Sequence, residues 1–224
     1  MRLVLRIGGS VVASPMNPIL INDYGNLLVD VKRKGHEIAV VVGGGVIARE
    51  LISVAKDLGL QEEAQDEIAI AASRILAQLF LLKLRDSSCR TISLTIEDAV
   101  KCLREGKIAV MGGLRPGMTT DAVAALIAEE ADAELLVKAT NQDGIYNKDP
   151  EKYDDAVKFT HLSYEDLPKA LEEDKHKAGI HQIVDPEAIK ILKRLRIKTV
   201  VVNGFKPENI LAAINGKEVG TLIE

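Results

Sequence analysis

The chain alternates segments typical of buried strands with helical segments, and this alternation constrains its fold more than any other feature. Continuous apolar and β-branched runs occur at 3–7, 38–42, 108–111, 135–139 and 199–202, with a shorter one at 220–223. Runs of this kind are typical of strands buried on both faces of a parallel sheet. Helical patterns lie between them, at 19–34, 47–58, 62–84, 96–104, 121–131, 164–171, 186–195 and 207–214. Repeated β–α alternation predicts an α/β fold of three layers.

Composition and charge narrow the kinds of protein this chain can be. It has 224 residues, 47% of them apolar, and nothing in it resembles a flexible linker. We therefore expect one domain spanning 1–224, divided loosely near residue 135 into two halves. The longest apolar stretch, 68–84, is interrupted by polar residues, so it indicates a buried helix and no membrane span. A net charge of −4 argues against general nucleic-acid binding, which needs a basic face.

The cysteines, the histidines and the N-terminus predict no disulfide, no metal site and no secretion. Cys89 and Cys102 lack metal-ligand spacing, so we expect them to be simple filler in a reducing cytoplasm. The first residues enter a strand-like run without the apolar core of a signal peptide, so a cytoplasmic location is expected. The four histidines also lack ligand spacing and are expected in surface or turn positions: His36, His161, His176 and His181.

Four of the strand-like runs lead directly into loops rich in Gly, Thr and Asn. These loops span 8–10, 43–45, 112–121 and 140–144. In open α/β sheets, ligands bind outside the carboxyl ends of the strands, where helix N-termini offer free N–H groups. Glycine removes the Cβ that would keep phosphate oxygens away from those groups. Neither a P-loop nor an intact GxGxxG pattern is present, so the loops predict phosphate binding by a different architecture.

These loops, in this order, resemble the amino-acid-kinase superfamily and, within it, UMP kinases of the archaeal type. The matching motifs are IGGSV at 7–11, VVVGGGxxAR at 40–49, VMGG with PGxTTDAVAA at 110–125, and TNxDGxYxxDP at 140–150. The segment at 110–125 is the most specific of them. The stretches at 177–179 and 184–191 also resemble the archaeal branch, so the resemblance covers nearly the whole chain.

The resemblance implies a three-layer αβα sandwich around a mostly parallel eight-stranded sheet. It places UMP on the N-terminal half, about 1–134, and ATP on the C-terminal half, about 135–224. The implied ATP-binding residues are Gly9, Ser10, Gly45, Arg49, Thr140, Asn141, Tyr146 and Asp149. The implied UMP-binding residues are Gly44, Asp66, Leu114, Arg115, Pro116, Gly117, Met118, Thr119 and Thr120. Mg²⁺ is expected to arrive bridging the ATP phosphates, with few or no protein ligands.

Several of these residues have a second interpretation from the local sequence. Asp66 lies among other acids, so it is either a ribose hydroxyl acceptor or part of a solvated acidic face. Asp121 begins an apolar helix, where it would cap the helix N-terminus, orient catalytic cations, or do both. Arg115 is either a loop cation or a contact for the UMP phosphate.

Two cations are candidates for contact with the transferring phosphate, and the sequence leaves the choice between them open. Many relatives carry Lys where this chain has Arg6, and a planar guanidinium does not substitute simply for an ammonium group. Lys138 precedes Thr140 as in many bacterial UMP kinases, although it is also a reasonable solvent-exposed lysine at a strand end.

The resemblance also leaves alternatives of function. The first alternative is another small-substrate kinase of this fold, such as isopentenyl phosphate kinase or acetylglutamate kinase. The former usually has a His after the second glycine loop, and residues 46–49 contain none. The second alternative is a non-catalytic nucleotide sensor or storage protein, although the motif residues of both nucleotide sites are present in this chain. Family members of the UMP kinase type form hexamers built as trimers of dimers, and the apolar helix at 62–84 is a candidate dimer face.

Overall fold

The protein is built around a central sheet. The structure is a computed structural model that describes residues 1–167, 170 and 185–224. The strands are β1 (Arg2–Ile7), β2 (Glu37–Val42), β3 (Ala109–Met111), β4 (Leu135–Thr140), β5 (His161–Leu162), β6 (Lys198–Asn203) and β7 (Thr221–Ile223). Their order across the sheet is β3-β2-β1-β4-β6-β7-β5. Every neighbouring pair is parallel except β6 and β7. The five principal predicted strands and the terminal one are confirmed.

The helices follow the predicted order and bounds closely. They are α1 (Gly9–Val12), α2 (Pro18–Arg33), α3 (Gly45–Asp57), α4 (Glu62–Leu84), α5 (Ile96–Arg104), α6 (Thr120–Glu130), α7 (Pro186–Leu195) and α8 (Glu208–Ile214). The short α1 lies where only a glycine loop was expected. Within the helix predicted at 164–171, residues 164–166 form a turn and 167 and 170 are helical, whereas 168, 169 and 171 lie outside the described residues, as do the resemblance at 177–179 and the histidines at 176 and 181.

Helices cover both faces of the sheet and give it two apolar cores. On β1, Val4 faces a core shared with α5, α6 and α7, whereas Leu3 and Leu5 face a second core shared with α1, α2, α4 and α8. This alternation follows from the two-residue period of a strand, and it needs apolar residues at successive positions. The three-layer α/β architecture is therefore confirmed.

The sheet has seven strands in the described part of the chain, one fewer than the eight that the resemblance implied. The segment beside β3 makes only isolated parallel bridges, Ser88 with Ile108 and Ser93 with Met111. This segment is polar and contains no apolar run, so it follows the sheet edge without becoming a regular strand.

The expectation of two unpaired cysteines is wrong. Cys89 and Cys102 are joined by a disulfide, with Cα atoms 6.1 Å apart. Cys102 lies on α5, which packs on β3, and Cys89 lies on the segment that runs beside β3. The sheet thus brings together two positions whose sequence spacing carried no signal. Within the described ranges, no helix is long and apolar enough to cross a membrane.

Candidate active site

The glycine-rich loops meet at the carboxyl ends of β1, β2, β3 and β4, where they surround two adjoining cavities. The larger, about 660 Å³, is lined by all eight residues assigned to ATP and by Arg6, Asp121 and Lys138. We call it the donor cavity. The second, about 580 Å³, lies toward α4 and is called the acceptor cavity. Four residues line both cavities: Gly44, Arg49, Thr119 and Thr120.

Two glycine loops form one wall of the donor cavity by packing backbone against backbone. A Cβ at Gly9 would lie 2.0 Å from the Gly45 nitrogen, and a Cβ at Gly45 would lie 2.4 Å from the Gly9 oxygen. Gly45 also has a φ of +61°, which side-chain-bearing residues rarely adopt. These glycines are therefore required by the contact between the loops, in addition to the access that they give a phosphate.

A carboxylate with two cations forms the floor of the donor cavity. The Asp121 Oδ1 lies 2.7 Å from the Arg6 Nε, as an ion pair without hydrogen-bond alignment, and the other carboxylate oxygen accepts from the Lys138 Nζ. Arg6 also donates to the Thr120 hydroxyl at 3.1 Å. Arg6 and Lys138 lie side by side because β1 and β4 are paired in register at these residues. The sheet register therefore sets the spacing of the two cations.

Burial and charge act in opposite directions on this cluster. Burial raises the pKa of Asp121, but the charges of Arg6 and Lys138 outweigh it, so the net pKa is lowered and the group stays ionised. Burial lowers the pKa of Lys138, and the attraction of Asp121 offsets this only in part because Arg6 repels the same ammonium. Lys138 is almost fully buried, so its interpretation as a solvent-exposed strand-end lysine is wrong.

The helix-cap interpretation of Asp121 is also wrong. The N-cap of α6 is Thr119, whose hydroxyl accepts from the Ala122 N–H at 3.1 Å. Asp121 lies inside the first turn, and its side chain is turned toward Arg6 and Lys138. A threonine two residues earlier meets the capping requirement, which leaves the carboxylate for the two cations.

The acceptor cavity is bounded by α4 on one side and by the loop after β3 on the other. Asp66, on the first turns of α4, accepts a hydrogen bond from the Gly117 N–H at 2.7 Å. Asp66 lines the cavity, so it is not merely part of a solvated acidic face. Arg115 is exposed at the rim. Seven of the nine residues assigned to UMP line this cavity: Gly44, Asp66, Arg115, Gly117, Met118, Thr119 and Thr120.

Two residues assigned to UMP do not line the acceptor cavity. Leu114 packs against the core shared with α5 and α6. Pro116 lines a separate depression of about 420 Å³ on the far side of the loop. Residues 115–118 form a turn closed by the hydrogen bond from the Met118 N–H to the Arg115 carbonyl, so a contiguous sequence motif does not give a contiguous wall.

The structure adds residues that the motifs did not single out. Lys148 and Asp185 line the donor cavity, and Asp185 accepts from the Thr119 hydroxyl at 2.6 Å while capping α7. Ile70 and Ser73 line the acceptor cavity from α4. Asp185 stands inside the stretch at 184–191 that resembles the archaeal branch, so a signal existed for it, whereas Lys148 occupies an unspecified position of the motif at 140–150. The α4 residues carry none because they reach the site through tertiary packing.

The residues suited to holding a metal ion are few. In the described ranges there is no group of three or more His, Cys, Asp and Glu side chains that could hold one. Both oxygens of Asp121 already face cations. The floor of the donor cavity has two cations around one carboxylate, a charge balance that suits phosphate groups.

Comparisons with known proteins agree with this geometry. A family model described as the amino acid kinase family matches residues 1–203. A uridylate kinase of Methanocaldococcus jannaschii is 44% identical over 226 residues, covering 100% of both chains. A uridylate kinase of Haloquadratum walsbyi is 40% identical, covering 99% of this chain and 92% of its own.

Solved structures give the same result. The uridylate kinase from Archaeoglobus fulgidus is similar with a TM-score of 0.89 and 37% identity, over 100% of each chain. A UMP kinase from Bacillus anthracis shares the fold, with a TM-score of 0.84 at 21% identity, over 100% of this chain and 95% of its own. The match over 1–203, together with full-length relatives well above 30% identity, shows that this chain belongs to the amino acid kinase family.

Proposed function

We propose that the protein is a kinase that transfers the γ-phosphate of ATP to UMP, forming UDP for pyrimidine nucleotide biosynthesis. The observation that carries this proposal is the shared wall between the two cavities, formed by Gly44, Arg49, Thr119 and Thr120. Two phosphates that enter from opposite sides meet at this wall. The relatives named uridylate kinase support UMP as the acceptor.

In this proposal the donor cavity holds ATP. The loops that contain Gly9, Ser10 and Gly45 receive the phosphates, and Arg49 reaches them from α3. The nucleoside end lies along the loop after β4, against the remaining assigned residues: Thr140, Asn141, Tyr146 and Asp149. The starts of α3 and α6 lie at this cavity, so their free N–H groups and positive dipole ends favour bound anions.

The acceptor cavity holds UMP with its phosphate toward the shared wall. Asp66 accepts from the ribose hydroxyls, and Arg115 meets the acceptor nucleotide at the rim. The main-chain N–H groups of Thr119 and Thr120, at the start of α6, are the natural partners of the phosphate. Leu114 and Pro116 act indirectly, by fixing the path of the loop.

Transfer needs positioning and charge, and no general base. The UMP phosphate is itself the nucleophile and is largely dianionic at pH 7, since its second pKa is about 6. Arg6 and Lys138 stabilise charge on the transferring group, and Asp121 fixes both cations before the substrates arrive. Such prior alignment is the main source of rate enhancement in phosphoryl transfer.

Mg²⁺ fits this site as an ion carried by ATP. It would neutralise charge on the β- and γ-phosphates and hold them in line. The donor cavity supplies cations and N–H groups, and the Asp121 carboxylate is taken up by Arg6 and Lys138. We therefore expect phosphate oxygens and water to be the main ligands of the ion.

A panel of acceptors tests the proposal. Purified protein with Mg-ATP is expected to release ADP with UMP much faster than with AMP, GMP or isopentenyl phosphate. Preference for isopentenyl phosphate would support the other small-substrate kinase, and binding of nucleotides without turnover would support a sensor or storage protein. Either result contradicts the proposed function.

Assembly into a hexamer of three dimers, in the cytoplasm, is a further part of the proposal. Helices α3 and α4 pack together and, with the C-cap residue of α3, leave large apolar side chains exposed: Leu51, Val54, Leu58, Ile75, Leu79 and Leu82. Such exposure supports burial against a second copy. The disulfide is compatible with a cytoplasmic location, because intracellular proteins of hyperthermophilic archaea and bacteria contain such bonds. Light scattering that finds a stable monomer of 24.3 kDa would contradict assembly.

A further inference from the structure

Arg74 is a charged residue on α4 that the mechanism above does not use. Its guanidinium donates to two consecutive main-chain carbonyls of the loop after β3, to Gly113 at 3.0 Å and to Leu114 at 3.1 Å. Among the described residues, no carboxylate forms an ion pair with it. A planar guanidinium is well suited to two acceptors held in fixed positions. Its charge is thus committed to holding the backbone of this loop.

The neighbouring Ser73 holds the same residue of the loop, Gly113, from its other side. Its hydroxyl accepts from the Gly113 N–H at 2.7 Å and donates to the Ile70 carbonyl at 2.7 Å. Ser73 is only 2% exposed, so these bonds are protected from water. Adjacent residues of α4 therefore hold both the N–H and the carbonyl of Gly113.

The loop lies directly on the helix because it has no side chains at the point of contact. A Cβ at Gly112 would lie 2.8 Å from the main-chain nitrogen of Arg74 and 2.9 Å from the main-chain carbonyl carbon of Ser73. The glycine pair at 112–113 is thus required for close approach to α4. The sequence had suggested a phosphate cradle, which is a different reason for the same residues.

The far end of the loop is held by the same helix. Asp66 accepts from the Gly117 N–H, and it precedes Ser73 by seven residues and Arg74 by eight, which places all three on one face of α4. The two attachments are about 12 Å apart along the helix, at 1.5 Å per residue. The helix therefore sets the span of loop that walls the acceptor cavity.

We propose that Arg74 is a positioning residue for the acceptor nucleotide, acting through the loop it holds. Arg74 does not line either large cavity, so it acts on the acceptor only through the Gly113–Leu114 backbone. The donor cavity takes no residue from 112–118, so ATP binding is independent of this attachment. This inference rests on the proposed function for the identity of the acceptor.

The test compares Arg74→Met with the wild type in steady-state kinetics. Hydrogen bonds from a charged donor are lost while the aliphatic stem is kept, so KM for UMP is expected to rise about tenfold to a hundredfold. KM for ATP is expected to stay near the wild-type value. Arg104→Met is the matched control, since it removes the same charge from an exposed position on α5, outside both cavities, and is expected to leave both constants unchanged.

Two further variants distinguish the effect of the paired guanidinium donors from the effect of charge alone and from a general loss of stability. Arg74→Lys keeps the charge but not the paired donors, and it is expected to raise KM for UMP nearly as much. A wild-type KM in Arg74→Lys would overturn the proposal. Ser73→Ala is expected to raise the same constant. If Arg74→Met lowers only the unfolding temperature, or raises KM for ATP and UMP equally, the role of Arg74 is merely structural.

Amide hydrogen exchange gives a readout that needs no turnover. Exchange at 112–119 is expected to quicken in Arg74→Met and to stay unchanged in Arg104→Met. If the wild type prefers another acceptor, the proposed function fails, and the kinetic comparison is run with that acceptor. Unchanged exchange at 112–119 would overturn the inference about Arg74 whichever acceptor is used.

Discussion

The donor and acceptor cavities share a wall but are built by different means. The donor cavity has a floor of ionised side chains, with Asp121 between Arg6 and Lys138. The acceptor cavity is walled mainly by a backbone segment that side chains of α4 hold in place. In the proposed function, charge is therefore prearranged where the phosphate is transferred, and shape is prearranged where the acceptor is selected. Changes on the two sides should have different kinetic signatures.

Asp121→Asn is expected to give the largest effect and to act on turnover. It keeps the size of the side chain but removes the charge that holds two cations, so kcat should fall about a hundredfold or more. Thr119 caps α6, so folding should be normal and both KM values close to wild type. Steady-state kinetics and thermal unfolding measure these quantities.

The control for this variant is Asp98→Asn, an acid in the first turn of α5 that forms a capping box far from both cavities. It should lose some stability and no turnover. A wild-type kcat in Asp121→Asn would show that the charge of Asp121 is not needed for turnover, and it would contradict the difference proposed between the two cavities.

Asp66→Ala is expected to give the next largest effect and to act on acceptor binding. It removes a charged acceptor worth about 1.5–3 kcal/mol, so KM for UMP should rise about tenfold to a hundredfold. KM for ATP should be unchanged because Asp66 lies outside the donor cavity. Glu67→Ala, exposed on the same helix, is the control. Equal changes in both KM values would mean that the two cavities are not independent.

The smallest effect expected is a pH dependence confined to the donor side. Since burial lowers the pKa of Lys138, it should lose its proton at a pH below that of an ordinary lysine. Turnover should then fall as pH rises through that value, by about tenfold for each further unit. Lys138→Arg should abolish this alkaline decline, because arginine keeps its proton throughout the range. A decline that survives in Lys138→Arg would assign it to another group.

The sequence was informative where function depends on strand ends. The apolar runs placed β1, β2, β3 and β4, and the loops after them brought every residue assigned to ATP to one cavity. Parallel strands end at a common edge, so order along the chain is sufficient for this inference.

The sequence was less informative where function depends on tertiary packing. In the sequence, Ser73 and Arg74 look like ordinary helix residues. Their contacts with the loop after β3 exist only because α4 packs against that loop. The Cys89–Cys102 bond likewise depends on a polar segment following the sheet edge. Helical periodicity gives the face on which a side chain lies, but it does not identify the neighbour of that face.

The contact between Gly9 and Gly45 limits how this protein can evolve. At each position an added side chain would collide with the main chain of the other loop, so the clash cannot be relieved by trimming a neighbouring side chain. A compensating change at the partner position is equally closed, because that residue is already the smallest available. The pair therefore cannot drift by paired replacement. Lineages that retain these two loops are expected to retain both glycines, whatever acceptor their other residues come to select.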